Sequence, residues 1–353
     1  MNVVDMPQKI SLKAIWRGSV AETFNVIAVG NVFREKTQVI VLGGEDGAVR
    51  LYQIPQSGRA VHIQLQPWKC LESKGGPIQS LTLHDVTKFG SIDVISGDSR
   101  GTMTILSNGQ ILDRRHLSDH SINSLQVDED LAGNTAIVAG DSGGLLSAVL
   151  PFNDLWKLKL RPEDSVAKQP GTSQPSVKAL LAFSGPSSSA GHVTNYILVC
   201  DDQNCLHILQ QGTKVLTLST PGPVTAMCSG IFQGSSGEID QRFFSMKEVA
   251  LGCHNGTIYI MKEFKILPQA YANIQLPIMH LRQLPSVRDD GLDSILCAGQ
   301  FRAVLLLHNG QILSRYEVSD LVVTMETCKN DTDESVESFI GCRDKTLYSL
   351  KVT

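Results

Sequence analysis

The sequence predicts an all-β fold, a seven-bladed β-propeller, and three observations carry that prediction. A hairpin-like unit occurs seven times along the 353 residues. The units recur at the length of a four-stranded blade, and no stretch of comparable length shows the periodicity of an amphipathic helix. Each unit is an apolar run, a turn rich in Gly, Asp or Asn, and an alternating run, which together read as a hairpin. The copies are VIVLGGEDGAVRLYQI from Val39, DVISGDSRGTMTIL from Asp93, AIVAGDSGGLLSAVL from Ala136, YILVCDDQNCLHIL from Tyr196, EVALGCHNGTIYIM from Glu248, SILCAGQFRAVLLLH from Ser294 and SFIGCRDKTLYSL from Ser338.

The turn positions Gly47, Gly101, Gly143, Asn204, Gly256, Arg302 and Lys345 lie 54, 42, 61, 52, 46 and 43 residues apart. Solenoid repeats would be shorter or helical. In the first five copies Gly or Asn can take positive φ at low steric cost, whereas Arg302 and Lys345 give a weaker turn signal. Ahead of the hairpins lie further apolar segments, such as GPIQSLTLHDV, SVKALLAF and DLVVTMETC, predicted to be the innermost strands. Behind two of them, LSNGQILDRRHLSD from Leu106 and LHNGQILSRYEVSD from Leu307 are near copies, each with an Asn-Gly turn leading into a fourth strand. The last unit stops at Val352 with three strands, while residues 9–20, KISLKAIWRGSV, form a strand-like run with no unit of its own. That run is predicted to be the outer strand of the last blade, closing the ring and removing its sheet edge. Residues 1–353 are thus read as one domain, with 161–176 as a flexible insertion.

The units lack the Gly-His and Trp-Asp pairs of WD repeats. The order Leu83-His84-Asp85-Val86, Phe89-Gly90-Ser91-Ile92-Asp93-Val94-Ile95-Ser96-Gly97, Gly101-Thr102-Met103-Thr104-Ile105 instead resembles the FG-GAP-like propeller unit. The run from GPVTAMCSGIF to EVALGCHNGTIYIM is similar to the propellers of Bardet-Biedl ciliary coat subunits, with kaptin-type and integrin-alpha-like cytosolic propellers nearby. The resemblance implies a non-catalytic scaffold within a larger assembly, ciliary, trafficking or signalling. Some FG-GAP units bind calcium through closely spaced carboxylates, since this hard cation takes six to eight oxygen ligands. Here those loops are eroded to Asp128-Glu129-Asp130, to Asp289-Asp290-Gly291 with Asp293, and to Asp85 alone. They read as solvated carboxylates, and no cofactor or metal is expected.

Composition points the same way. Hydrophobic residues make up 42% and Gly 30 of 353 positions, which excludes disorder of the whole chain. A net charge of −4 without a basic run disfavours direct nucleic-acid binding. The start offers no apolar stretch of signal-peptide length and no window approaches a membrane span, so a cytoplasmic, cilium-associated or nuclear location is expected. The eight cysteines are scattered without a C-x-x-C pair and read as free, mostly buried thiols.

No nucleotide, hydrolase-elbow, zinc-protease or dinucleotide signature is present, so the chain is not expected to be an enzyme. His84, His207, His254, His280 and His308 fall in or beside strands and read as structural imidazoles. Two other functions stay open: a small-molecule or metal site in the central channel, assembled from residues distant in sequence, and a propeller subunit of a nuclear assembly. Departures from the repeat locate candidate partner surfaces. Three long inner-to-second-strand loops, 184–195, 233–247 and 285–293, fall on one face, the first read as plainly flexible. The second carries Phe243 and Phe244 beside Arg242 and Lys247, an aromatic and basic pairing enriched at interfaces. On the other side of the third hairpin, residues 154–160 read as a helix or as an outer strand. As a strand they would place Trp156, Lys157, Lys159 and Arg161 on a basic edge able to accept a partner, other protein subunits being the partners expected.

Overall fold

The computed structural model describes residues 10–55, 62–130, 132–161, 174–186, 193–233, 247–288, 290–330 and 335–353. Every regular element among them is a strand. The chain opens with β1 (Leu12–Ser19) and then builds the first blade from β2 (Phe24–Gly30), β3 (Val39–Gly44) and β4 (Ala48–Gln53). A short β5 (His62–Gln64) leaves that blade before β6 (Lys69–Glu72) completes it. The second blade is β7 (Ile78–His84), β8 (Asp93–Asp98), β9 (Thr102–Ser107) and β10 (Gln110–His116); the third is β11 (Ile122–Glu129), β12 (Thr135–Asp141), β13 (Leu145–Leu150) and β14 (Asn153–Lys159). Blade four comprises β15 (Val177–Pro186), β16 (Val193–Asp201), β17 (Cys205–Gln210) and β18 (Thr213–Ser219). Blade five comprises β19 (Val224–Gly230), β20 (Glu248–Cys253) and β21 (Thr257–Lys262), with an outer edge split into β22 (Lys265–Ile266) and β23 (Ala272–Asn273). The sixth is β24 (Ile278–Leu284), β25 (Ser294–Gly299), β26 (Phe301–His308) and β27 (Gln311–Glu317), and the seventh β28 (Val322–Lys329), β29 (Val336–Cys342) and β30 (Thr346–Val352).

The ring closes as the sequence predicts. β1 pairs antiparallel with β30 from Leu12↔Val352 to Ser19↔Thr346, and the inner strand β2 lies against β28 as it does against β7. Trp16 on β1 is buried against Phe339 and Leu347 of the last blade and Phe24 and Leu65 of the first stretch of chain. One feature had no sequence signal. β5 crosses from blade one and pairs parallel with β1, so the closing strand is itself covered.

Blade packing explains the small residue that precedes each hairpin turn. A Cβ at Gly97 would lie 2.5 Å from Ile122 Cγ2, and one at Gly43 2.5 Å from Ile78 Cγ2, in each case the first residue of the next inner strand. The same position is Gly140, Gly252 and Gly341 in three other blades, with Cys200 and Ala298 in the remaining two. Each inner strand also carries a register shift at its second residue, and polar side chains there or one residue on tie neighbouring blades together. Asn25 Nδ2 donates to Ile78 O at 3.0 Å, Ser80 Oγ to Ile122 O at 2.8 Å, and Thr225 Oγ1 to Ile278 O at 2.5 Å.

The turn chemistry departs from the sequence reading in two blades. In blade three the left-handed residue is Gly144 (φ 81°) rather than Gly143, whose N–H is held by Asp141. In blade six Arg302 lies inside β26, and the chain reverses through Gln300 because Gly299 lets Pro277 O approach to where a Cβ would be. Lys345 adopts φ 68° without being Gly or Asn, its Nζ held by Ala21 O at 2.8 Å. The carboxylates of the hairpins serve as turn caps. Asp98 Oδ1 accepts from the N–H groups of Arg100 and Thr102, and Asp141 and Asp201 Oδ1 do the same two and four residues on.

Candidate functional site

Residues 154–160 resolve in favour of the outer strand: β14 pairs with β13 with Lys157 opposite Ser147 and Trp156 opposite Ala148. Alternation then separates the residues that the sequence groups together. Trp156 is half-buried and packs on Gly212, where a Cβ would meet its ring at 2.6 Å, while Lys157, Lys159 and Arg161 point the other way. Those three line a shallow depression of about 310 Å³ with Lys214. Lys157 Nζ lies 3.5 Å from Asp154, which Arg115 also contacts at 2.6 Å, and Lys159 Nζ donates to Gly143 O. Lys247 is exposed immediately before β20 in blade five. Arg242, Phe243 and Phe244 lie outside the described residues, as do 162–173 of the predicted insertion.

Trp156 instead forms the floor of a larger groove, about 1150 Å³, between blades three and four on the face that carries the inner-to-second-strand loops. Beside the blade-two loop with Val86 and Lys88, three segments wall it. The first is the loop from Asp128 to Ala136, the second the β13–β14 turn with Leu150 and Leu155, and the third the β15–β16 hairpin with Val193 and Asn195. At its two ends the stretch 184–195, read as a plain loop, is strand instead, while residues 187–192 lie outside the described residues. Ser184↔Asn195, Gly185↔Thr194 and Pro186↔Val193 pair as strand, which extends this hairpin beyond those of the other blades. Asn195 Nδ2 donates to Asp128 Oδ1 at 2.8 Å and to Glu129 O, fixing the extended hairpin against blade three.

The β13–β14 turn is unusual in its chemistry. The equivalent turns of blades two, four and six are Asn108-Gly109, Gln211-Gly212 and Asn309-Gly310, each with both residues at positive φ, the type I′ pattern of tight hairpins. Blade three has Pro151-Phe152, with Phe152 at φ 65°, a position where a type II turn ordinarily takes Gly. Phe152 is 68% exposed. Blade five also places a Phe here, Phe264 at φ 58°, yet that ring packs on Tyr196 and Phe183 at centroid distances of 4.8 and 6.2 Å. Phe152 has no such ring partner among the described residues, and Leu155 and Val193, which line the groove, are 45% and 49% exposed. Phe89, on the loop of blade two, is also exposed.

The other candidates resolve into structural roles. Asp85 Oδ1 and Oδ2 accept from the N–H groups of Phe89 and Gly90, and Asp130 accepts from Ala132, Asn134 and the Asn134 side chain, so these loop carboxylates cap their own backbone. His308 is buried between Ser294 Oγ at 2.9 Å and Asp290 Oδ2 at 2.7 Å; the hydroxyl is fully enclosed and the trio ties β25, β26 and the preceding loop together. In blade four Asp201, Cys205 and His207 bring one donor atom each within 4.8 Å of one another. Asp201 Oδ2 there lies 3.0 Å from His207 Nε2, whose ring is held on the other side by Thr217 Oγ1, a clasp across three strands. The central channel, about 620 Å³, is lined by inner-strand residues of all seven blades. Its opposed charges, Arg282 and Glu326, pair at 3.3 Å, and burial together with the nearby Arg282 pushes His280 down to about 4. No helix among the described residues is long and apolar enough to cross a membrane.

No known family profile and no curated protein sequence matches the chain. Solved structures do match in fold. BBS1N, crystallised in complex with ARL6DN, aligns at a TM-score of 0.67 with 10% identity, over 97% of this chain and 98% of that one. The WD40 β-propeller domain of Doa1 aligns at 0.66 with 12% identity, over 96% and 97%. The chain therefore has the architecture of both, and the sequence resemblance to Bardet-Biedl coat propellers is matched by a likeness of fold.

Proposed function

We propose that this chain is a non-catalytic protein-interaction propeller, a subunit of a multisubunit assembly, and that it docks a partner in the groove between blades three and four. The observation that carries the reading is Phe152. A bulky side chain at positive φ costs about 1–2 kcal/mol, and an exposed aromatic recovers none of it by burial. Phe264 repays the same cost through Tyr196 and Phe183; at Phe152 the backbone N–H donates to Asp113 Oδ2 at 3.0 Å, which holds the turn, and the exposed ring is left to meet an external surface. Exposed aromatic and aliphatic side chains gathered at a groove mark interaction sites, and a groove of this size accommodates several residues of a partner. The crystallisation of BBS1N with a protein partner supports protein recognition as a use of this architecture. The location that suits this reading is the cytoplasm, in a ciliary, trafficking or signalling assembly.

Phe152→Gly separates this function from folding. The substitution relieves the turn and should raise stability by about 1 kcal/mol, while removing the exposed aromatic from the turn whose flanking residues Leu150 and Leu155 line the groove. Affinity purification of the tagged chain expressed near its endogenous level, followed by mass spectrometry, should recover a defined protein set with the native sequence and lose it with the variant. Recovery of the same set by a more stable Phe152→Gly protein contradicts the assignment of the groove, and recovery of the monomer alone by the native sequence contradicts the scaffold.

A further inference from the structure

Resting on that reading of the groove, we infer that the docked segment is an apolar-basic peptide: an aromatic or aliphatic side chain lying beside Leu155 and Val193, and a Lys or Arg whose cation pairs with Asp128. The apolar half follows from the exposed side chains already described. The basic half follows from the charges that face the groove.

Of three consecutive carboxylates, Asp128, Glu129 and Asp130, the first and third line it, and the three are not equivalent. Glu129 is met by His84 Nε2 at 3.1 Å and Lys88 Nζ at 3.6 Å, so a local counter-charge already holds it. Asp130 has both oxygens engaged by its own loop, through Ala132, Asn134 and the Asn134 side chain. Asp128 is half-buried in the groove wall. Its Oδ1 accepts one bond from Asn195, and among the described residues no donor reaches Oδ2. Burial and the neighbouring charge of Asp130 raise the Asp128 carboxyl above its usual range. A carboxylate in that position costs free energy until a cation joins it. Among the described residues that line the groove Lys88 is the one cation and is engaged with Glu129, so these walls carry net negative charge. Like charges brought against such a wall are repelled, which disfavours an acidic partner segment. Asn195 adds geometry to the charge, because the bond that anchors the extended hairpin also orients the Asp128 carboxyl.

Random 12-residue peptides displayed on phage and selected against the immobilised full chain test this directly. The expected result is enrichment of sequences that combine Phe, Trp, Leu or Ile with Lys or Arg. Asp128→Asn, which can still accept from Asn195, should weaken a selected peptide about tenfold to a hundredfold in Kd. Asp128→Lys should shift selection toward Asp and Glu while keeping the apolar residues. Thermal melts of each variant verify folding. Apolar peptides selected without a basic residue, or acidic ones selected by the native chain, overturn the inference and leave the docking groove standing. No enrichment, or enrichment indifferent to both Phe152→Gly and Leu155→Ser, overturns the inference together with the groove.

Discussion

Trp16→Ala tests ring closure by a strand from the opposite end of the chain. Trp16 is 2% exposed, lies 6.3 Å from the Phe339 ring, and contacts residues of the first and last blades together. Its indole N–H has no hydrogen-bond partner, so truncation orphans no acceptor and the loss is one of packing. Removing a buried Trp side chain costs about 3–5 kcal/mol. At about 2.1 cal/mol/K per residue, a 353-residue domain has an unfolding entropy near 0.74 kcal/mol/K, so the melting temperature should fall by about 4–7 °C. Ile312→Ala on β27, where the side chain is 51% exposed, should change stability by less than about 0.5 kcal/mol and serves as the control. Differential scanning fluorimetry at one fixed scan rate reads both. A Trp16→Ala melt within 1 °C of the control would refute closure by β1. Deleting residues 1–20 should have a larger effect and also bring aggregation, because it uncovers the edge of β30.

Three further outcomes follow from the site and its supports. Gly212→Ala places a Cβ 2.6 Å from the Trp156 ring at φ 79°; a loss of about 1–2 kcal/mol and a red shift in tryptophan emission are expected, and an unchanged spectrum would contradict the packing. Asp98→Ala removes the acceptor for the N–H groups of Gly76, Arg100 and Thr102, so urea unfolding should show a loss of about 3–5 kcal/mol, whereas a loss under 1 would dismiss the cap. His280 has its folded pKa pushed down to about 4 from an ordinary 6.5, so the unfolded chain binds the extra proton between those values. Stability should therefore decline as pH falls from 6.5 toward 4, by about 1–2 kcal/mol after allowance for water in the channel, and be unaffected above pH 7. Melts at pH 7.5 and 5.0 should differ less for His280→Gln than for the native chain; equal differences would exclude His280 as the source.

The fold was legible because its signals are local. Hairpins such as that of β8 and β9 announce themselves by an apolar run, a Gly turn and alternation, and Asn108-Gly109 and Asn309-Gly310 take the positive φ their residue types favour. The unpartnered segment containing Trp16 identified the closing strand by elimination. The β5 crossing was invisible because three residues, His62-Ile63-Gln64, carry too little pattern to register as a strand. Arg302 was misplaced because blade six reverses at Gly299, where close approach of Pro277 replaces the usual turn chemistry.

The groove was only partly legible. Its walls come from three stretches far apart in sequence, near Asp128, Leu155 and Val193, and only the ring brings them together. The sequence groups Trp156 with Lys157, Lys159 and Arg161 on one edge, whereas strand alternation sends Lys157 and Lys159 away from Trp156. The small polar composition of 184–195 hides the strand pairing of Ser184–Pro186 with Val193–Asn195, and Asn195 bonds Asp128. Aligned against Gly109, Gly212 and Gly310, Phe152 is an aromatic residue standing where the repeat has glycine, and that departure is the signal the sequence carries for this turn.

The most direct test of docking through that residue is site-specific photo-crosslinking in cells. A benzophenone amino acid placed at position 152, compared with the same group at position 312 on the rim of blade six, reports which surface meets a partner. Docking at the groove predicts a discrete set of crosslinked proteins at 152 and none of them at 312. The same proteins at both positions, or crosslinks at 312 alone, would contradict it.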